Sequence, residues 1–149
     1  MNEINVSSLR EGVREAYSRA AQHPDEDHPF PVGRDFAESV GYPADLLRGL
    51  PAVAVDAFAG VSNLSLLAEI PSGATVLDLG SGAGLDSIIA AGRVGPQGQV
   101  LAVDFSSAML SSMEQAVLES RATNIKIFHS DAESLPLEDL SVDVALVNG

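Results

Sequence analysis

The chain has 149 residues, 46% of them hydrophobic and 19% charged, enough for one domain with a core of ordinary size and too apolar for a disordered tail. Eight Lys plus Arg against 21 Asp plus Glu give a formal net charge of −13, so a phosphate backbone is repelled over most of the surface and nucleic acid is not expected as a partner. No cysteine is present for a disulfide, a thiolate metal site or a nucleophile, no long uncharged run suits a membrane, and the start MNEINVSSLR lacks the basic and apolar regions of a signal peptide; a cytoplasmic protein is expected.

Composition divides near Pro71, which predicts an N-terminal helical cap over residues 1–70 and an α/β domain over 71–149. Ser8-Leu9-Arg10-Glu11 has capping-box spacing, and Leu9, Val13, Tyr17 and Ala20 recur at helical intervals, predicting a helix over 8–21. The run His23 to Pro29 sets two histidines among three acids; a solvated, proline-bounded loop is the stronger reading, and no metal site is expected. Short helices are predicted at Asp35–Val40 and Pro43–Arg48, with Pro43 in a first turn and Gly49 at a helix end, and Asn63 or Ser62 caps another running to Glu69.

From Ala74 strands and helices alternate. Ala74–Leu79 is a short apolar, β-branched run ending in glycines, as a buried parallel strand should. A helix over Leu85–Arg93, a turn at Gly95–Gly98 and a second strand over Gln99–Val103 follow. Ser106 then caps a helix through Ser120 with Met109, Met113, Ala116 and Val117 on one face. Ile125–Phe128 and, after the loop Ser134–Ser141, Val142–Val147 complete four strands. This order predicts right-handed crossovers and a mostly parallel sheet with helices on both faces.

Three glycines at alternate positions, Gly80, Gly82 and Gly84, lie between the first strand and its helix. They permit positive φ and let a ligand lie against bare backbone beside a helix start. A dinucleotide fingerprint needs G-x-G-x-x-G, but Leu85 or Ser87 falls where its last glycine belongs, which disfavours a nicotinamide oxidoreductase. Asp78, two residues before the first glycine, suits a ligand with an ammonium group better than a pyrophosphate. Asp104 closes the second strand 20 residues beyond Gly84, where a carboxylate accepts from ribose hydroxyls, and Asp131 follows the third. Ribose, amino acid and a base edge together describe S-adenosylmethionine.

VLDLGSGAG, LAVDFS, HSDAESLP and SVDVALVNG, in this order over residues 74–149, resemble the successive motifs of class I S-adenosylmethionine-dependent methyltransferases. The resemblance implies a Rossmann-like fold, S-adenosylmethionine as cofactor, and methyl transfer by in-line displacement to a small-molecule acceptor. It places Asp78 and the backbone of Gly80 and Gly82 at the methionine end, Asp104 at the ribose, Asp131 and Ala132 at the adenine, and Ser81, Gly84 and Asn148 within the cofactor site. Phe105 lies against the adenine face or packs on the helix after Ser106; Tyr17 closes over the site or is an ordinary core or surface residue; His129 reads as a polar loop residue rather than a general base.

A finer resemblance, through Val13 to Tyr17, Gly41-Tyr42-Pro43, Gly60 to Asn63 and Arg93 to Gly98, is to arsenite methyltransferases, which bind trivalent arsenic through cysteine thiolates. Two of those cysteines fall on Val61 and Gly149 here, and neither residue offers a soft ligand. Nor does Asn148-Gly149 continue into an N-P-P-Y motif, so the acceptor stays open. The family's sheet has seven strands and this sequence carries four, so a fragment, or a surface supplied by another molecule, is expected, with self-association through an uncovered sheet edge. A non-catalytic cofactor-binding module is the alternative function.

Overall fold

The computed structural model describes residues 5–149. Five helices come first: α1 (Val6–Gln22), α2 (Arg34–Ser39), α3 (Ala44–Arg48), α4 (Ala52–Asp56) and α5 (Leu64–Leu67). Then follow β1 (Thr75–Leu79), α6 (Leu85–Val94), β2 (Gln99–Asp104), α7 (Ser107–Ser120), β3 (Ile125–His129) and β4 (Val144–Val147). The strands form one parallel sheet in the order β3-β2-β1-β4, with Leu77 paired to Leu101 on one side and to Ala145 on the other. This is the Rossmann-like arrangement expected, and the chain direction across the sheet reverses between β1 and β4.

Both crossover helices lie on one face. Val76 and Val100 pack against Ala90, Ala91 and Val94 of α6, and Ala102, of the same parity as Val100, packs against Leu110 and Met113 of α7. Two right-handed crossovers that step in the same direction must put their helices on the same side. The other face, Leu77, Leu101 and Val103, is covered by Leu137 and Val142 of the long β3–β4 connection, where no helix forms. So the expectation of helices on both faces meets a loop on the second face, because the only connection that crosses back is irregular.

α6 is buried almost all round, from Leu85 to Val94, which marks a helix sandwiched between two layers. Its outer side receives the N-terminal helices: Ala37, Tyr42, Leu47, Val55 and Phe58 pack on Leu85 and Ile89, and Ala54 meets Ile88 and Ala116. Ala20 and Ala21 of α1 join Ala57, Ala83 and Met109. The segment before Pro71 thus forms an outer layer over the helices that cover the sheet.

Several boundaries differ from expectation. α1 is capped by Asn5, whose side chain accepts from the Ser7 N–H at 3.1 Å, while the Ser8 hydroxyl turns back to the Asn5 carbonyl; the capping-box spacing one turn later is therefore unused. Leu9 and Val13 stay 58% and 40% exposed, since the first half of α1 runs beyond the layer that buries Ala20 and Ala21. Pro43 is the N-cap of α3 rather than a first-turn residue, and Pro51 likewise starts α4, a helix too short for periodicity to reveal. Asn63 precedes α5 without a side-chain cap, because its amide donates to the Gly41 carbonyl, and α5 ends at Leu67 rather than Glu69. β4 begins at Val144, Val142 being spent on the loop side of the core. Ser106 caps α7 as expected, accepting from the Met109 N–H at 3.2 Å.

Candidate functional site

The carboxyl ends of β1, β2 and β4 surround a cleft of about 270 Å³, near the lower end of small-molecule sites at roughly 300–1,000 Å³. It sits where strand order reverses, the place at which open α/β sheets bind ligands. Of the residues singled out in the sequence, Asp78, Gly80, Ser81, Gly82, Gly84, Asp104, Phe105 and Asn148 line it. Asp131 and Ala132 do not. Both are exposed; Asp131 accepts from the Glu133 N–H and lies 3.9 Å from Arg10 of α1, which pairs with Glu133 at 2.5 Å. Arg10 of α1 therefore faces both acids at the surface.

The glycine loop is shaped by its own backbone. Gly80, Gly82 and Gly84 all have positive φ, at 72°, 56° and 96°. The N–H groups of Gly80 and Ser81 donate to the Val103 carbonyl, and that of Gly82 donates to Asp104 Oδ2 at 2.8 Å. These donors hold the loop on β2, so what the loop offers a ligand is its carbonyls and bare Cα positions. A Cβ at Gly80 would meet nothing within 4 Å, and one at Gly82 only the Met109 sulfur at 3.9 Å, so open space faces both. Gly84 is different: a Cβ there would come within 2.9 Å of Met113, so this glycine serves the packing of α7.

Three carboxylates converge on the cleft, each under 10% exposed. Asp104 accepts from Gly82 and from the Ser106 N–H, both at 2.8 Å; burial raises its pKa above the usual carboxylate range against the pull of those donors. Asp78 is turned under the loop and accepts from Ser87 Oγ of α6 at 2.5 Å. Burial, with smaller contributions from Asp86 and Asp104, pushes its pKa up to about 7. Asp86 went unnoticed in the sequence, where an acid in the first turn of a helix reads as a partner for the helix dipole. It accepts from the Tyr42 hydroxyl, from the Ser65 N–H at 3.3 Å and from Asn148 Nδ2 at 2.7 Å. Burial and Asp86 together raise the Tyr42 pKa beyond the ordinary phenol range.

Asn148 is a clamp. Its Oδ1 accepts from the N–H groups of Val61 and Ser62 at 3.0 Å, and its Nδ2 donates to the Ser62 carbonyl at 2.8 Å. The amide thereby fastens residues 60–62 to the end of β4, where a Cβ on Gly60 would stand 2.7 Å from Asn148. The opposite wall is aromatic. Phe105 meets the edge of Tyr17 at 6.4 Å, Arg14 stands over its ring at 5.8 Å, and Tyr17 stacks on Phe30 at 4.7 Å. His129 lies outside the cleft and donates its Nε2–H to the Phe105 carbonyl.

Residues 70–149 match the protein family described as a methyltransferase domain. The chain belongs to the S-adenosylmethionine-dependent methyltransferases. Among curated members of this family, the arsenite methyltransferase of Halobacterium salinarum is 38% identical over 112 residues, covering 75% of this chain and 28% of that protein. An arsenic(III) S-adenosylmethionine methyltransferase of Chlamydomonas reinhardtii superposes with a TM-score of 0.55 at 25% identity, over 80% of this chain and 39% of that one. A methyltransferase of Aquifex aeolicus gives 0.50 at 31% identity, over 52% and 41%. The chain therefore spans well under half the length of these methyltransferases. Val61 and Gly149 are neighbours in space: a Cβ on Gly149 would be 3.6 Å from Val61 Cγ1.

Proposed function

We propose that the cleft binds S-adenosylmethionine and that the chain serves methyl transfer to a small-molecule acceptor. The observation that carries this reading is the convergence, at the switch point of a parallel sheet, of a bare glycine loop with three buried carboxylates and no Lys or Arg in the lining. Such a site calls for a cationic ligand with hydroxyl groups. Asp78 and the carbonyls of Gly80 and Gly82 suit an amino-acid ammonium, the remaining lone pairs of Asp104 suit ribose hydroxyls, and Phe105 offers a face to a purine. When bound, S-adenosylmethionine supplies an activated methyl carbon, and the chain's part is to bind, orient and exclude water. α1, through Val13 and Tyr17, covers the mouth, consistent with residues 1–70 acting as a cap on the domain of residues 71–149.

The acceptor side lacks thiolates, since Val61 and Gly149 stand where cysteines would, so arsenite is not the acceptor proposed. A second reading, a cofactor-binding module without catalysis, is favoured by one observation: none of the three histidines lines the cleft, so proton transfer there would fall to its carboxylates alone. Among the described residues no helix is long and apolar enough to cross a membrane. Isothermal titration with S-adenosylhomocysteine and with NAD tests the cofactor: micromolar binding of the first and none of the second is expected, and the reverse overturns the reading. Release of S-adenosylhomocysteine from S-adenosylmethionine across a panel of small acceptors separates enzyme from module.

A further inference from the structure

The cofactor reading uses the acids and the glycine loop, and it leaves an uncharged part of the cleft lining without a ligand. Val13 and Tyr17 of α1, Ala54 and residues 57–60 all come from the segment before Pro71, and apart from the Tyr17 hydroxyl their side chains are apolar. This wall does not stop at the mouth. Val6, Leu9, Val13, Tyr17 and Ala20 recur at helical spacing and share one face of α1. Ala20 is fully buried, Tyr17 and Val13 line the cleft, and Leu9 and Val6 continue beyond it, 58% and 60% exposed, for roughly 10 Å of helix. Val61, 69% exposed, adjoins Gly60 and Gly149, which both line the same cleft. Single apolar side chains on a surface need no explanation, whereas a stripe continuous with a ligand cavity marks a contact surface.

Resting on the cofactor assignment above, we propose that this stripe holds the apolar tail of the methyl acceptor, an uncharged small molecule whose reactive end enters the cleft while its tail lies along Val13, Leu9 and Val6. Continuity decides for the acceptor: the stripe and the cleft share Val13 and Tyr17, so a molecule seated in one reaches the other without leaving apolar surface. Charge decides against an anion. Asp78, Asp86 and Asp104 line the cleft with no Lys or Arg among them. The three arginines of α1 are engaged, Arg10 with Glu133, Arg19 with Glu26, and Arg14 over the Phe105 ring, so none is left to receive a carboxylate or phosphate. A net charge of −13 also sets the chain against an anionic bilayer, which makes the occupant a single small molecule. Leu9 and Val6 are thus specificity residues for tail length, and the three carboxylates set the charge that is admitted.

The test is an amide NMR titration of the full chain, saturated with S-adenosylhomocysteine, with n-butanol, n-hexanol and n-octanol, and with hexanoate and octanoate as anionic counterparts. Each added methylene is expected to tighten the alcohols by about two- to fourfold, with shifts at Val6, Leu9 and Val13. Each carboxylate is expected to bind about tenfold or more weakly than its alcohol. Leu9→Gln is expected to flatten the dependence on length while n-butanol and S-adenosylhomocysteine keep their affinities within about twofold; a merely structural role would move all of them together. Affinity independent of chain length, or carboxylates that bind as well as the alcohols, overturns the proposal. Displacement of S-adenosylhomocysteine by n-octanol also overturns it, because the tail would then occupy the cofactor's own place. Light scattering in which Leu9→Gln abolishes association of a chain that shows no length dependence gives the stripe to a second copy instead. A chain that binds no S-adenosylhomocysteine loses the cofactor assignment, and the same alcohol series on the ligand-free chain then decides the stripe by itself.

Discussion

Replacing Asp104 by alanine removes the acceptor of two backbone donors at once. Gly82 N–H and Ser106 N–H each lie 2.8 Å from its oxygens, one at the apex of the glycine loop and the other at the start of α7. Hydrogen bonds to a charged group contribute roughly 1.5–3 kcal/mol each. Burial of the carboxylate, which raises its pKa, offsets part of that gain, so Asp104→Ala should cost about 2–4 kcal/mol of stability rather than the full pair. Loss of the ribose acceptor should weaken S-adenosylhomocysteine by about ten- to hundredfold in addition. Asp104→Asn separates the two effects: its amide oxygen still serves one backbone donor, so most of the fold stability should return while the affinity stays about tenfold low. Urea unfolding reads the first quantity and calorimetric titration the second. A folded Asp104→Ala variant whose dissociation constant stays within twofold of the parent would remove Asp104 from the ligand site.

Other consequences follow from the same geometry. Burial pushes the Asp78 pKa from 3.8 up to about 7, so the folded chain holds that proton more tightly than the unfolded one. Its contribution is full below about pH 4 and is lost as pH rises through 7, so the urea midpoint should correspond to on the order of 2–3 kcal/mol less stability at pH 8 than at pH 5, and Asp78→Asn should flatten that slope. An ammonium-bearing ligand favours the ionised form, so S-adenosylhomocysteine should bind more tightly at pH 8 than at pH 6 and release protons near pH 7, read by titration in buffers of different ionisation enthalpy. Gly82→Val should abolish binding while helical circular dichroism persists, since a β-branched residue resists a φ of 56° and fills the space facing the loop; binding within twofold would show that the loop is only a turn. Asn148→Ala should speed amide hydrogen exchange at Val61 and Ser62 and cost about 2–4 kcal/mol, because Asp86 loses a donor in the same step; unchanged exchange would deny the clamp. The edge strand β4 leaves Val147 58% exposed, so light scattering should show association that Val147→Lys reduces; a monodisperse parent monomer would count against it.

Much of the site was legible in order along the chain because its chemistry is local to strand ends. Gly80, Gly82 and Gly84 announce positive φ wherever a strand must turn straight into a helix, and the spacing to Asp104 places that acid beside them once the two strands pair in parallel. Ser106 capping α7, and the Met109, Met113 and Ala116 face behind it, needed only helical periodicity. What the sequence does not contain is which partner each polar group finds across the fold. Asp131 lies two residues past the end of its strand, exposed and 3.9 Å from Arg10, 121 residues earlier in the chain. Asp86 looks like an ordinary first-turn acid until Tyr42, Ser65 and Asn148 arrive from three other segments. Leu9 and Val13 carry a core-like period but stay exposed, because period fixes only which side chains share a face, and burial depends on what packs against it. Local backbone preference and strand pattern are properties of neighbouring residues; charge pairing and burial are decided by distances that exist only after the helices before Pro71 have folded over α6 and the end of β4.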